Sequence, residues 1–249
     1  MNNELEQNER INSISPKKLI EFSHVCKYYD YDGGVIKALD DINFEINEGE
    51  FVIILGDSGA GKSTALNILG GMDTATSGDV FVDNVNITKQ KEEELTSYRR
   101  NDIGFVFQFY NLVQNLTVLE NVELATQIAK KPFHPKEILE KVGLKDRMNN
   151  FPGQISGGEQ QRASIARAIC KNPKILLCDE PTGALDYKTG KMILSLLQEI
   201  NEEYHMTIII VTHNSVIQDI GDKVIHFKSG KIENITWNKE KKRIDELEW

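Results

Sequence analysis

The sequence predicts an α/β fold built on a largely parallel sheet. Three short segments, Phe51 to Leu55, Lys174 to Cys178 and Ile208 to Thr212, have strand length and run apolar without polar alternation. That is the pattern of strands buried on both faces. Helical patterns lie between them. Thr189 to Glu203 carries Met192, Ile193, Leu196, Leu197 and Ile200 on one face. Buried strands alternating with helices pair in parallel through crossovers. The 249 residues are 40% apolar, enough for one sizeable core with a subdomain beside it.

The elements follow in chain order. Residues 1 to about 18 are rich in Asn, Glu and Ser and read as a flexible segment. The pattern tightens from Leu19. Ile42, Phe44 and Ile46 alternate with Asn43 and Glu45, the period of a half-buried strand. A turn at Gly49-Glu50 leads into Phe51 to Leu55. A glycine-rich loop comes next, then a helix from Thr64 to about Leu69, and Val80 and Val82 mark another short strand. From about Glu92 to Cys170 the chain looks more helical, with segments Glu92 to Arg99, Val118 to Ala129 and Pro135 to Val142. Past Gly230 the chain is charged, with Trp237 and Trp249, and no role is assigned to this tail.

Composition excludes several classes. The formal net charge of -9 repels phosphate backbones, which argues against a nucleic-acid partner. No apolar run approaches the roughly 18 residues that span a bilayer. Met1 to Arg10 is polar and lacks the apolar core of a signal peptide. Cys26, Cys170 and Cys178 are too scattered for a metal-ligand pair or a disulfide framework. The cytoplasm is the expected compartment, and any membrane would be met through another protein.

Gly56-Asp57-Ser58-Gly59-Ala60-Gly61-Lys62-Ser63-Thr64 sits between a strand and a helix. It contains G-x-x-x-x-G-K-S/T in the context that pattern needs. Glycines let successive N–H groups turn inward on one anion, and the helix start adds partial positive charge. Lys62 supplies a full charge for the β and γ phosphates, and Ser63 a hydroxyl for magnesium. Downstream, Lys174 to Cys178 runs into Asp179-Glu180-Pro181, two carboxylates at the C-terminal end of a strand. Open α/β sheets place their ligands there. Alone, this is a strand leaving the core into a polar turn. Beside a phosphate loop it reads as a magnesium carboxylate, Asp179, and a base for water, Glu180.

Ile155-Ser156-Gly157-Gly158-Glu159-Gln160-Gln161-Arg162 precedes a helix bearing Ile165, Ala166 and Ile169. Ser156 and Glu159 form a capping box, S-x-x-E. A capping box does not require two glycines in the first turn, each costing about 1 kcal/mol against alanine. Their bare backbone and the helix start together fit an anion. The first loop already serves one set of phosphates, so this second anion site is expected to serve a nucleotide on another copy.

This segment resembles the ABC signature motif, and the chain around it is similar to the ABC transporter ATP-binding family over residues 19 to 233. Gln108, in Phe105-Val106-Phe107-Gln108, looks like the Q-loop glutamine that touches magnesium and faces the permease. Ala184-Leu185-Asp186 looks like the D-loop, His213 like the switch histidine at the γ phosphate, and Tyr29 like the aromatic that stacks on adenine, although Tyr28 and Tyr31 are close by. The signature departs from the commonest pattern at Ile155 and Glu159, where Leu and Gln are usual.

The resemblance implies a P-loop NTPase RecA-like core with a mainly parallel sheet, an N-terminal antiparallel β subdomain and an inserted α-helical subdomain at about 92 to 172. A charged C-terminal tail would occupy 234 to 249. It implies ATP and Mg2+ as ligands. Lys62, Gln108, Glu180 and His213 would be catalytic. Ser63, Gln108 and Asp179 would serve the metal. Tyr29, residues 56 to 64, Gln108, Ser156, Gly157, Gly158, Glu159, Asp186 and His213 would contact nucleotide. It further implies a homodimer on ATP binding, a separate integral-membrane permease, and a place on the inner face of the cell membrane.

The phrases Leu66-Asn67-Ile68-Leu69-Gly70-Gly71, Asp102 to Gln108 and Pro181 to Asp186 look most like the subgroup that pairs with four-helix permeases of the lipoprotein-release, macrolide-export and peptide-resistance type. Two other readings stand beside transport. One is a mechanical signalling ATPase of the cell-division type, and the other a soluble ABC ATPase. The cargo and its direction are not encoded in these residues.

Overall fold

A computed structural model describes residues 17–247. The expected flexible segment, apart from Lys17 and Lys18, lies outside the described residues, as does Trp249.

Strands β1 (Lys18–Tyr31) and β2 (Gly34–Asn47) form a long antiparallel hairpin. On β2 the residues Ile42, Phe44 and Ile46 are buried while Asn43 and Glu45 alternate outward, as their spacing predicts. Strand β3 (Phe51–Leu55) enters the glycine-rich loop, and α1 (Lys62–Leu69) leaves it. Helix α1 begins two residues before the expected Thr64, because Gly61 already accepts from the Ala65 N–H at 3.0 Å. A second hairpin joins β4 (Ser77–Val82) to β5 (Val85–Asn86). Its two turn residues, Asp83 and Asn84, both have positive φ, the tight turn that matches strand twist. These strands make a four-stranded sheet in the order β2-β1-β4-β5.

Helix α2 (Glu92–Asn101) precedes β6 (Ile103–Phe107). This strand falls inside the stretch expected to be mainly helical. Its run is five residues long and holds Gly104, too short for periodicity to reveal. Helices α3 (Val118–Thr126), α4 (Pro135–Lys141) and α5 (Gly157–Cys170) complete the middle section. Helix α3 stops three residues short of the expected Ala129. The chain there approaches Pro132, which disfavours helix before it. Strand β7 (Ile175–Asp179), α6 (Tyr187–Tyr204) and β8 (Thr207–Thr212) match the predicted buried strands and intervening helix.

Two strands not foreseen follow, β9 (Lys223–Lys228) and β10 (Lys231–Trp237). The six-stranded sheet has the order β10-β9-β3-β8-β7-β6, parallel except for β10. The charged tail is therefore part of the fold, since β10 crosses the expected boundary at 233. Beyond it the chain returns over α6. Buried Gln198 donates to the Lys242 carbonyl at 2.8 Å and accepts from the Ile244 N–H at 2.9 Å, and Ile244 is wholly buried.

Continuous apolarity in the central strands has a simple cause. On β3, Phe51, Ile53 and Leu55 face a core shared with α3 to α6, while Val52 and Ile54 face one shared with α1 and the four-stranded sheet. Strands β7 and β8 alternate in the same way, with Leu176, Cys178, Ile208 and Ile210 on the first side and Ile175, Leu177, Ile209 and Val211 on the second. Each fully buried side chain of this kind contributes about 1.5–3 kcal/mol. Among the described residues, no helix is long and apolar enough to cross a membrane.

Candidate active site

Register decides what the sheet delivers to its carboxyl edge. Leu55 pairs with Thr212, Asp179 with Val211 and Phe107 with Asp179. The residues that follow these strand ends, Gly56, Glu180, His213 and Gln108, are thereby brought to one edge of the sheet although more than 100 positions separate some of them.

The glycine-rich loop wraps the start of α1. A β-carbon at Gly61, where φ is 102°, would lie 2.3 Å from the Ala38 carbonyl oxygen. Only glycine fits this conformation and this approach. Asp57, Ser58 and Gly59 are exposed at the loop crest, and Ala60 is buried beneath it. Lys62 is buried, and its ammonium donates to the carbonyls of Gly56 at 2.7 Å and Asp57 at 2.8 Å. The charge is thus held within the loop. Gly59, Gly61, Lys62, Ser63 and Thr64 line a cleft with Ile36 to Ala38 of β2.

The two carboxylates differ in environment. Asp179 accepts from the Ser63 hydroxyl at 3.0 Å. Burial lifts its carboxyl above the ordinary value, and the adjacent Glu180 charge adds to the lift. A half-buried carboxylate beside a hydroxyl, both oxygen donors, fits a hard divalent cation that keeps waters and phosphate oxygens as its other ligands. Among the described residues, no cluster of three or more His, Cys, Asp or Glu side chains forms a protein cage for a metal. Glu180 sits at φ 47°, a left-handed conformation that costs a non-glycine residue energy. Its Oε1 lies 2.8 Å from His213 Nδ1, and its Oε2 accepts from the Thr212 hydroxyl at 3.3 Å. Strand end, strained backbone and histidine together aim this carboxylate. Gln108 packs its side chain against Gly183 in the turn after Pro181.

Tyr29 is separated from its neighbours by strand alternation. Its hydroxyl donates to Asp73 at 2.6 Å, and burial with that carboxylate pushes its pKa up to about 12. The Lys27 ammonium lies 4.8 Å from the Tyr29 ring centre. Tyr28 instead donates to Asp40 at 2.7 Å. Opposite Tyr29 stands Ile36, which lines the cleft over the loop.

The second expected anion site is organised differently. The Ser156 N–H and hydroxyl donate to Glu159 Oε2 at 2.8 and 2.9 Å, and the Ser156 hydroxyl accepts from the Glu159 N–H at 3.3 Å. This is the capping box the sequence predicts. Arg147 adds its Nε to Glu159 Oε1 at 2.9 Å. The Ser156 N–H and then Arg147 hold the Glu159 carboxyl down at about 2. The two glycines have a reason inside the chain as well. A β-carbon at Gly158 would meet Thr189 Cγ2 at 2.3 Å, and one at Gly157 the Tyr110 hydroxyl at 2.7 Å. Thr189 belongs to the cap of α6, where it donates its N–H and hydroxyl to Asp186 at 3.1 and 2.6 Å. Asp186 is thus the N-cap of α6. Among the described residues, no hydrogen bond joins Ser156 to Glu159 with the loop at 56 to 64.

Sequence reasoning missed Gln161. It is wholly buried on α5 and donates to the Pro181 carbonyl at 2.7 Å and the Phe107 carbonyl at 3.3 Å. One amide thus braces the turn beside Glu180 and the strand leading to Gln108. The available signal was its spacing with Ile165 and Ile169, which puts a polar residue on the apolar face.

A profile of the ABC transporter family matches residues 39–183. The chain belongs to the ABC transporter ATP-binding family. It is 45% identical over 224 residues to the ABC transporter ATP-binding protein MJ0796 of Methanocaldococcus jannaschii, covering 86% of this chain and 95% of that one. An ABC transporter ATP-binding protein of Thermotoga maritima is also 45% identical, covering 88% of this chain and 95% of its own length. Among solved structures, a dimeric post-hydrolysis state of the MJ0796 cassette bound to ADP and Pi superposes with a TM-score of 0.81 at 42% identity, covering 89% of this chain and 100% of that one. Part of the cbiONQ transporter complex, cbiO1 of Clostridium perfringens, gives a TM-score of 0.79 at 30% identity and covers 88% of each chain. The cassette described here is therefore an ATP-binding ATPase subunit with the P-loop α/β fold.

Proposed function

We propose that this cassette drives a separate integral-membrane permease and closes on ATP as a homodimer. One observation carries the reading. The lysine loop, both carboxylates and the histidine converge on one sheet edge, whereas among the described residues the serine-glycine helix start shares no hydrogen bond with that loop. A site split in this way is completed by a second copy, and the dimeric MJ0796 structure supports that arrangement.

In the closed dimer the backbone of residues 56 to 64 and the Lys62 ammonium hold the β and γ phosphates, and Tyr29 meets the adenine. Ser63, Asp179 and Gln108 would hold magnesium, which would supply charge neutralisation at the phosphates. Ser156 to Glu159 and Asp186 of one copy face the nucleotide of the other. Glu180 accepts the proton of the attacking water, and His213 fixes the carboxylate's direction. The water oxygen bonds to the γ phosphorus, and the bond to the bridging oxygen breaks. Phosphate and ADP then leave, and the dimer opens.

The ATPase domain runs from about 19 through β10 and the returning tail, and its section at about 92 to 172 carries the permease-docking face near Gln108. Exposed Phe109 and Val113 beside that residue support such a surface. The permease is of the four-helix type found in lipoprotein-release, macrolide-export and peptide-resistance systems, moving amphiphilic cargo. The cassette lies in the cytoplasm on the inner face of the membrane through that partner.

Glu180→Gln tests the core of the reading. In ATP this variant should elute as a dimer by size exclusion with light scattering, with turnover lowered at least about a hundredfold. A monomer in saturating ATP, or near-native turnover, overturns it.

A further inference from the structure

The cap of α5 carries a charge problem. Its helix start offers about half a unit of positive charge to an approaching phosphate. Glu159, at the third helical position, places a full negative charge at the same spot. The carboxylate is ionised throughout the neutral range, since the Ser156 N–H and Arg147 hold it down. Uncompensated, it would repel the terminal phosphate that the split site must receive. The Ser156 hydroxyl is also turned toward Glu159 Oε2.

Arg147 answers this. It lies after α4, in the turn leading toward α5, and its Nε donates to the Glu159 oxygen not used by Ser156. Its side chain is half exposed, and that of Glu159 is only 20% exposed. A pair in this setting contributes little to stability. Its effect on the local field is larger, because the guanidinium cancels a charge aimed at a highly charged ligand.

We propose that Arg147 is a positioning residue for the nucleotide, neutralising Glu159 so that the α5 start remains attractive to the terminal phosphate held by a second copy of the chain. This rests on the split-site reading above. In this cassette the arginine does what an uncharged residue at position 159 would do by itself.

The test is a charge series read by steady-state ATPase at varied ATP and protein. The formal charge of the pair is zero in the native chain, negative in Arg147→Ala, positive in Glu159→Gln and zero again in the double variant. Glutamine keeps the oxygen that accepts from Ser156. Arg147→Ala should raise the ATP concentration for half-maximal rate about fivefold at about 0.05 M salt, and the rise should shrink toward about twofold at about 0.5 M. Arg147→Lys should restore most of the loss. The double variant should return toward the native value, and Glu159→Gln alone should shift below it.

A brace that merely holds the turn to α5 predicts the opposite. Glu159→Gln alone would then be as harmful as Arg147→Ala, the double variant would not recover, and salt would not matter. That pattern, or four indistinguishable proteins, overturns the proposal. Ser156→Arg in the same assay separates the two levels. If it abolishes turnover while the charge series is flat, only the role of Arg147 fails. If it turns over normally, the split site fails and the role of Arg147 fails with it.

Discussion

The loop at 56 to 64 and the helix start at 156 to 159 are both glycine-rich segments at a helix start, yet the chain treats them differently. The first keeps its lysine, hydroxyl and carboxylates converging on one another. Lys62 reaches back to its own loop and Ser63 reaches Asp179. The second satisfies itself with a capping box and an ion pair, and its glycines are fitted to Thr189 and Tyr110 of the same chain. One half is assembled by sheet register. The other is a finished local motif displayed at a helix end. The capping box pairs Ser156 with Glu159 within one turn, so these polar groups are satisfied at the helix end itself.

Three changes sharpen or break this contrast. Ser156→Arg should have the largest effect. Bulk and charge at the displayed half should lower turnover by at least about a hundredfold, while the monomer still binds a fluorescent ATP analogue through the other half. Lost binding in the monomer would mean that the halves are not separate. Gly158→Ala should come next, acting on stability. Its methyl would collide with Thr189 Cγ2, which costs about 1–3 kcal/mol by denaturant titration. Thr189→Ser removes that methyl and keeps the hydroxyl bonded to Asp186, so the double variant should recover most of the loss. No recovery would show that Gly158 is required for another reason.

The smallest effect is expected from Asp179→Asn in nucleotide-free protein. Burial raises the Asp179 pKa in the fold, so the folded state binds its proton more tightly than the unfolded chain. The penalty is absent below the unfolded value. It grows as pH rises through the unfolded value toward the folded one and is complete once pH exceeds the folded value. Asn should therefore raise the Tm slightly at pH 7, with the gain vanishing in strong acid, while magnesium-dependent turnover falls. A lower Tm at pH 7 would show that the Ser63 bond outweighs burial.

Much of the fold was legible because its signals are local. The buried strands at 51–55, 174–178 and 208–212, the loop between strand and helix, and the Ser156 capping box all follow from residues within a few positions of each other. Strands β6, β9 and β10 were not legible. Ile103 to Phe107 is short and contains a glycine, β10 mixes charged with apolar residues because it is the sheet's exposed edge, and β9, though mostly buried, is bounded by Lys223 and Lys228. The role of Gln161 was hidden for a related reason. Its partners are the carbonyls of Phe107 and Pro181, and no spacing along one helix reveals what another chain segment presents to it.

By itself the sequence determined the chemistry available. It set a lysine in a glycine-rich turn, paired carboxylates after a buried strand, and a capped helix with bare first residues, because backbone conformation and side-chain type are decided locally. Only tertiary structure decided which of these meet. Strand order and register carry Gly56, Gln108, Glu180 and His213 to one edge and pair Glu180 with His213, while packing within the helical section sets Arg147 against Glu159. Such meetings depend on packing between segments far apart in the chain, where the burial of two cores outweighs any preference of a single stretch.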